Sequence, residues 1–262
     1  MKHLILAFQF LTIIPIRVNT GISDADIAKS SSAFVIVGLI QGILLIATDY
    51  ISGMVFHPDL VIGIILLVLV LSNGGFHLDG LADTFDAIAA RGDKEKKLSI
   101  MKDSTIGPIG VIAIVLALLL KFLALNGLSH FPLFTFYFSL FLMPILPKWT
   151  MVISMFYGKP AREDGLGRIF INRISFKEIA ISTLILFLLL ILLQVFFSRY
   201  MSNTQYAFYA VLLVTMYFFC RVWVNFFDKK FGGLNGDTLG AISEITEIIF
   251  LLMVIVWSRL FI

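Results

Sequence analysis

EIAISTLILFLLLILLQVFF, residues 178–197, holds a single ionisable group, and that group, Glu178, stands at its first position. The apolar residues run on without a period of two. The stretch is therefore not a strand with one wet face, nor a β-barrel staves' pattern. At about 20 residues it is long enough to cross the hydrocarbon of a bilayer as a helix. Six further stretches read the same way: 32–51, 60–76, 106–126, 132–153, 205–224 and 240–261. Residues 4–16 are apolar but reach only about 20 Å at about 1.5 Å per residue. They are expected as a short N-terminal membrane-associated helix that tilts through, lies in or re-enters the bilayer. Lys2 and this run superficially resemble a signal peptide, but no small-residue cleavage site follows, so the run is read as part of the mature chain.

Composition agrees. Apolar residues make up 59% of the 262 residues and charged residues 14%, against about 45–50% and about 25% in soluble domains. A soluble fold could not bury that much apolar surface. The expected fold class is all-α: a polytopic helical membrane protein of about seven spans plus the short N-terminal helix. No linker divides it, so residues 1–262 read as one integral-membrane domain. The single cysteine, Cys220, rules out an internal disulfide and is read as packing.

Seven crossings place alternate loops on alternate sides. One side then holds 17–31, 77–105, 154–177 and 225–239. It carries Arg17, Lys29, Arg91, Lys94, Lys96, Lys97, Lys102, Lys159, Arg162, Arg168, Arg173, Lys177, Lys229 and Lys230. The other side has Arg199, with Lys121 and Arg259 read as lying near span ends. Cation-rich loops stay in the cytoplasm, so the first side is expected to face it.

The loops of that side also hold the chemistry. HLDGLADTFD, residues 77–86, puts Asp79, Asp83 and Asp86 at i, i+4 and i+7, one face of a helix. Three like charges on one face repel, and a divalent cation with oxygen ligands relieves them. His77 lies off that face and is open to metal binding, phosphate binding or capping. GGLNGDTLGAISEITE, residues 232–247, adds Asp237, Glu244 and Glu247. An N-cap role would explain Asp237. It would not explain Glu244 and Glu247, which enter the last span, where carboxylates default to function. RGDKEKKLSIMKDSTIGPIG (91–110) contributes Lys102 and Asp103, and KPAREDGLGRIF (159–170) contributes Arg162 and Arg168 beside glycines. Arginine grips phosphate with two parallel hydrogen bonds, and Arg221 could grip one too or snorkel. Carboxylates for a metal plus cationic glycine-rich loops suit phosphoryl transfer. No P-loop, GxSxG, CxxC or HExxH pattern occurs.

Five stretches then carry a resemblance: FQFLTIIPI (8–16), GGFHLDGLADTFDA (74–87), IMKDSTIGPIG (100–110), AREDGLG (161–167) and GGLNGDTLGAISEITE (232–247). Spread from end to end, they resemble the cobalamin synthase family, the adenosylcobinamide-GDP ribazoletransferases. The resemblance implies a membrane enzyme that needs Mg²⁺ and joins adenosylcobinamide-GDP to α-ribazole or its 5′-phosphate, with release of GMP. It implies a catalytic domain over the whole chain, multi-pass in the cell membrane, its site facing the cytoplasm. Mapped onto this chain, Asp79, Asp83, Asp86 and Asp237 are expected to hold Mg²⁺. Lys102, Arg162 and Arg168 are expected to bind the diphosphate, and Glu244 or Asp83 to act as general base. The expected partners are the two substrates and the lipid bilayer, with no nucleic acid and with a homo-oligomer left open. A CDP-alcohol phosphotransferase is the nearest rival, but its DGxxAR pattern fails where Asp83 follows Ala82. A cation-coupled transporter would place its carboxylates near the midplane, in repeated halves, and no repeat is visible.

Overall fold

The computed structural model describes residues 2–16, 21–163, 165–171, 173–197 and 204–261. Arg17 and Arg199 of the charge count and Asp164 of AREDGLG lie outside them. Among the described residues the regular elements are helices. The short ones are α1 (Lys2–Leu11), α2 (Asp24–Ser30), α5 (Phe76–Ala89), α6 (Lys94–Ile100) and α10 (Leu166–Phe170). The apolar framework comprises α3 (Phe34–Ser52), α4 (Pro58–Ser72), α7 (Pro108–Ser129), the consecutive α8 (Leu133–Leu142) and α9 (Ile145–Tyr157), α11 (Phe176–Phe196), α12 (Thr204–Phe231) and α13 (Gly236–Phe261).

Among the described residues six helical stretches are long and apolar enough to cross a membrane, α2–α3 and α8–α9 each counting as one, and a bent α4–α5 pair, taken as one span, brings the total to seven. The chain is a polytopic helical membrane protein. The α8–α9 stretch runs through the middle, with 89% of its apolar window buried, whereas the α11 window is 17% buried and faces outward. Leu184, Phe187, Leu188 and Leu192 are exposed along α11. Around a membrane bundle such side chains meet lipid instead of water. The core closes around α9 with Leu140, Leu142, Ile145, Trp149 and Ile153 against Leu212, Met216 and Phe250. Cys220 is buried there, its thiol directed at the Thr150 carbonyl. Polar side chains tie neighbours together within the bundle. Gln41 donates to Asn73 Oδ1 at 2.6 Å and to Ser72 Oγ at 3.0 Å, fastening α3 to the end of α4.

Sequence expected one span over 60–76, but α4 stops at Ser72 and the chain turns through 85° into α5. Gly74 and Gly75 make the turn, with φ of 64° and 73°. Two successive left-handed residues end a helix, and glycine takes them without a Cβ clash. α4, at 15 residues, spans about 22 Å at about 1.5 Å per residue. α5 leaves it nearly at right angles. That sideways helix carries the aspartates. Residues 4–16 resolve into α1, which ends at Leu11 and rests on α2 and α3. Its trailing strand of chain is pinned by a hydrogen bond from Ile13 N to Ser72 O at 3.3 Å.

Candidate active site

α5 packs most extensively against α13, and glycine is the reason. A Cβ on Gly80 would stand 2.7 Å from the Asp237 carbonyl oxygen, and one on Gly240 3.1 Å from that of His77. The two helices therefore touch backbone to backbone, as small residues allow in membrane bundles. This contact sets Asp237, on the first turn of α13, beside the aspartate face of α5. Asp237 is free to point there because Asn235 does the capping. Asn235 Oδ1 accepts from Thr238 N at 2.9 Å, Asn235 N donates to Thr238 Oγ1 at 2.9 Å, and Asn235 Nδ2 steadies Asp237 Oδ2 at 2.8 Å.

A second backbone contact brings in the arginine. Leu234 N donates to Lys159 O at 2.7 Å and Ala161 N to Leu234 O at 2.8 Å, a short parallel bridge between the loops after α9 and α12. Arg162 follows directly. Its Nη2 lies 4.0 Å from Asp237 Oδ2 and donates to Leu98 O at 2.8 Å. Lys102 shares with Arg162 an open groove of about 540 Å³ beside α6. Asp79 is exposed and Asp83 half-buried on the same stretch of α5. Burial first, then the charges of Asp79, Asp237 and Asp86, push the Asp83 carboxyl up to about 7, with Arg162 opposing them. A carboxylate face this repulsive favours a cation.

Not every expected residue joins this group. Asp86 turns to the start of α7, where its Oδ2 accepts from Gly107 N at 2.7 Å and its Oδ1 from Gly110 N at 2.8 Å. It caps α7 from a distance. Arg168 is exposed and bound to Glu163, through that residue's carbonyl oxygen at 2.6 Å and its carboxylate at 3.5 Å. Asp103 Oδ1 accepts from Thr105 Oγ1 at 2.5 Å and from Thr105 N at 3.0 Å; the hydroxyl bond first, then the backbone one, hold that carboxyl below the usual range. His77 is buried, with Nδ1 3.2 Å from Ser243 Oγ. Arg221 stacks on the Tyr157 ring at 3.9 Å.

Glu244 lies seven residues beyond Asp237, about 10 Å along α13 at about 1.5 Å per residue. There it meets Lys121 Nζ at 2.5 Å, and Glu247 pairs with the same ammonium. Lys121 was expected near a span end on the far side. It is 1% exposed, deep between α7 and α13, because two carboxylates one turn apart make its burial tolerable. Sequence reading missed Lys148 of α9, which is also fully buried beside this cluster. The signal existed: two lysines in apolar runs balance two glutamates in the last span.

Asp79, Asp83 and Asp237 offer only oxygen donors, which suits a hard divalent cation. Among the described residues no three acidic, histidine or cysteine side chains close into a finished cage. Mg²⁺ seldom uses such a cage; it keeps waters and takes substrate phosphate oxygens beside one or two carboxylates. The residues present fit that kind of site.

Fold and site together define a class, a helical integral-membrane protein with acidic and cationic groups gathered where several helices end. Comparison with known proteins narrows it. The family model described as cobalamin-5-phosphate synthase matches residues 3–255. A protein of Thermodesulfovibrio yellowstonii is 36% identical, the match covering 99% of this chain and 98% of the relative. One of Clostridioides difficile is 35% identical over 97% of each, and one of Geotalea daltonii 34% identical over 95% of each. All three bear the name adenosylcobinamide-GDP ribazoletransferase. No solved structure matches the chain. The chain belongs to the cobalamin-5-phosphate synthase family and is a transferase of cobalamin biosynthesis.

Proposed function

We propose that this enzyme joins adenosylcobinamide-GDP to α-ribazole or its 5′-phosphate and releases GMP, with Mg²⁺, at the cytoplasmic face of the cell membrane. The observation that carries the reading is the meeting of Asp79 and Asp83 with Asp237 and Arg162, residues drawn from three distant stretches of a ribazoletransferase relative. In the step, a ribose hydroxyl oxygen of the ribazole bonds to the phosphorus nearer the cobinamide. The bond from that phosphorus to the bridging oxygen breaks, and GMP leaves with the bridging oxygen. Asp83 receives the hydroxyl proton as general base. Glu244, bound to Lys121, is the weaker candidate for that base. Asp79 and Asp237, with Asp83, would hold Mg²⁺, which offsets charge developing on the phosphate oxygens. Arg162 and Lys102 orient the diphosphate along their groove. Asp86 serves by positioning α5 against α7. The cation-rich loops around the site support the cytoplasmic orientation.

The test is GMP release by the purified protein in detergent, given both substrates with and without Mg²⁺. Asp83→Asn is expected to lower turnover at least a hundredfold while melting and membrane insertion stay unchanged. Wild-type turnover in that variant would remove Asp83 from the chemistry. Absence of GMP release by the wild-type protein under both conditions would remove the reaction itself.

A further inference from the structure

We infer that the cavity enclosed by α1, α2, α5 and α13 seats the aromatic base of the accepting nucleoside, and that α1 is its outer wall. The inference deepens the reaction proposed above and rests on it. The cavity measures about 510 Å³. Leu6, Phe10 and Leu11 of α1, Ile22 before α2, and Leu239 of α13 give it a mainly apolar lining. Its polar edge includes Asp79 and Asp237, two of the carboxylates gathered on the α5–α13 contact.

Size and charge choose the occupant. A cavity of about 300–1,000 Å³ suits a drug-sized molecule. A bicyclic aromatic base with its ribose is of that order, whereas a corrin ring with its side chains and nucleotide is several times larger. A flat apolar base leaves the carboxylates for the sugar, whose hydroxyls donate to them. Asp237 links this cavity to the groove beside α6. It borders the cavity, and its carboxylate lies 4.0 Å from Arg162, which lines the groove with Lys102, Glu95 and Glu163. A base in the cavity thus brings its ribose toward a diphosphate held by Arg162 and Lys102.

The experiment fills the cavity from its rim. Ile22 is 46% exposed in the chain before α2, so Ile22→Trp adds bulk without disturbing a packed core. It should raise the KM for α-ribazole at least tenfold and leave the KM for adenosylcobinamide-GDP within twofold. It should equally weaken equilibrium binding of α-ribazole alone, read from benzimidazole fluorescence without Mg²⁺ or second substrate. Leu6→Ala, which enlarges the cavity, should shift preference toward a bulkier base such as a naphthimidazole riboside. An unchanged ribazole KM in an active Ile22→Trp enzyme would overturn the seat while leaving the reaction standing. A raised KM for the cobinamide substrate instead, or loss of co-purified lipid with no change for either substrate, would also overturn it. Saturable ribazole binding that Ile22→Trp weakens, in a protein that releases no GMP, would support the seat and refute the reaction.

Discussion

Lys121→Met takes the ammonium from between Glu244 and Glu247 and leaves two carboxylates one turn apart with 4% and 0% of their surface exposed. Removing one partner of a buried ion pair costs about 3–5 kcal/mol, because one carboxylate is then left without water or a counter-ion, Lys148 balancing only the other. For a chain of this size each kcal/mol lowers the melting temperature by about 2–4 °C, so the expected fall is about 6–20 °C. Tryptophan fluorescence during heating in dodecyl maltoside micelles reads it, since Trp149, Trp223 and Trp257 lie on α9, α12 and α13. The quadruple variant Lys121→Met, Lys148→Met, Glu244→Gln, Glu247→Gln removes every charge of the cluster and should recover most of the loss, as uncharged groups of similar volume replace buried ion pairs at little cost. A melt within about 2 °C of wild type for Lys121→Met would show that water reaches the cluster. A quadruple variant no more stable than the single one would show that packing, not charge, was lost. Glu244→Gln carries the functional reading. As a structural partner it should lower GMP release only in step with the folded fraction, whereas a general base would lose turnover in a fully folded protein.

Asp86→Ala should destabilise by about 1–2 kcal/mol, the worth of a helix N-cap, and speed hydrogen exchange at Gly107 and Gly110; loss of Mg²⁺ affinity with an unchanged melt would make Asp86 a ligand instead. Arg162→Ala should weaken adenosylcobinamide-GDP binding at least tenfold and α-ribazole binding little, while Arg168→Ala, bound to Glu163, should change neither; equal losses for both substrates in Arg162→Ala would make that residue structural. pH enters through Asp83, whose carboxyl rises from 3.8 to about 7 on folding. The folded state then holds a proton that the unfolded state releases, so without a cation this contribution is fullest below about pH 4 and is lost as pH rises toward about 7. Cation binding runs the other way: Mg²⁺ affinity should climb with pH up to about 7 and level off, with a proton released on binding. Calorimetric titration in buffers of different ionisation enthalpy reads that proton, and an affinity flat from about pH 5 to about pH 8 would refute the linkage.

The crossing helices were legible because lipid leaves long apolar runs nothing else to be. α7, α11 and α13 lie where 106–126, 178–197 and 240–261 were read, to within a few residues. The break after Ser72 was not, since hydropathy continues through Leu71 and the turn resides in the φ angles of two glycines. The same split runs through the charges. Spacing at i and i+4 put Asp79 and Asp83 on one face of a real helix. It could not tell that Asp86, on the same register, answers to Gly107 and Gly110, because that partnership spans 21 and 24 residues. Lys121 and Glu244 are 123 residues apart, and no local pattern writes their pairing. Local charge patterns thus name residues that need a partner; the bundle decides which partner each receives.

The glycines show how that decision is made here. Gly80 and Asp237 belong to segments more than 150 residues apart, yet a methyl group at position 80 would come within 2.7 Å of the Asp237 backbone. DGLAD and NGDTLG therefore work as one motif in two pieces, with the missing side chain as the joint. A side chain at 80 must part α5 from α13, and it carries Asp237 away from Asp79 and Asp83 as it does so; one at 240 needs the His77 backbone to give by a few tenths of an ångström. The proposed Mg²⁺ site therefore depends on the two backbones touching. Had the aspartates been set by loops, a substitution beside them could relax into solvent. Set by helices in contact, they move only when the helices part.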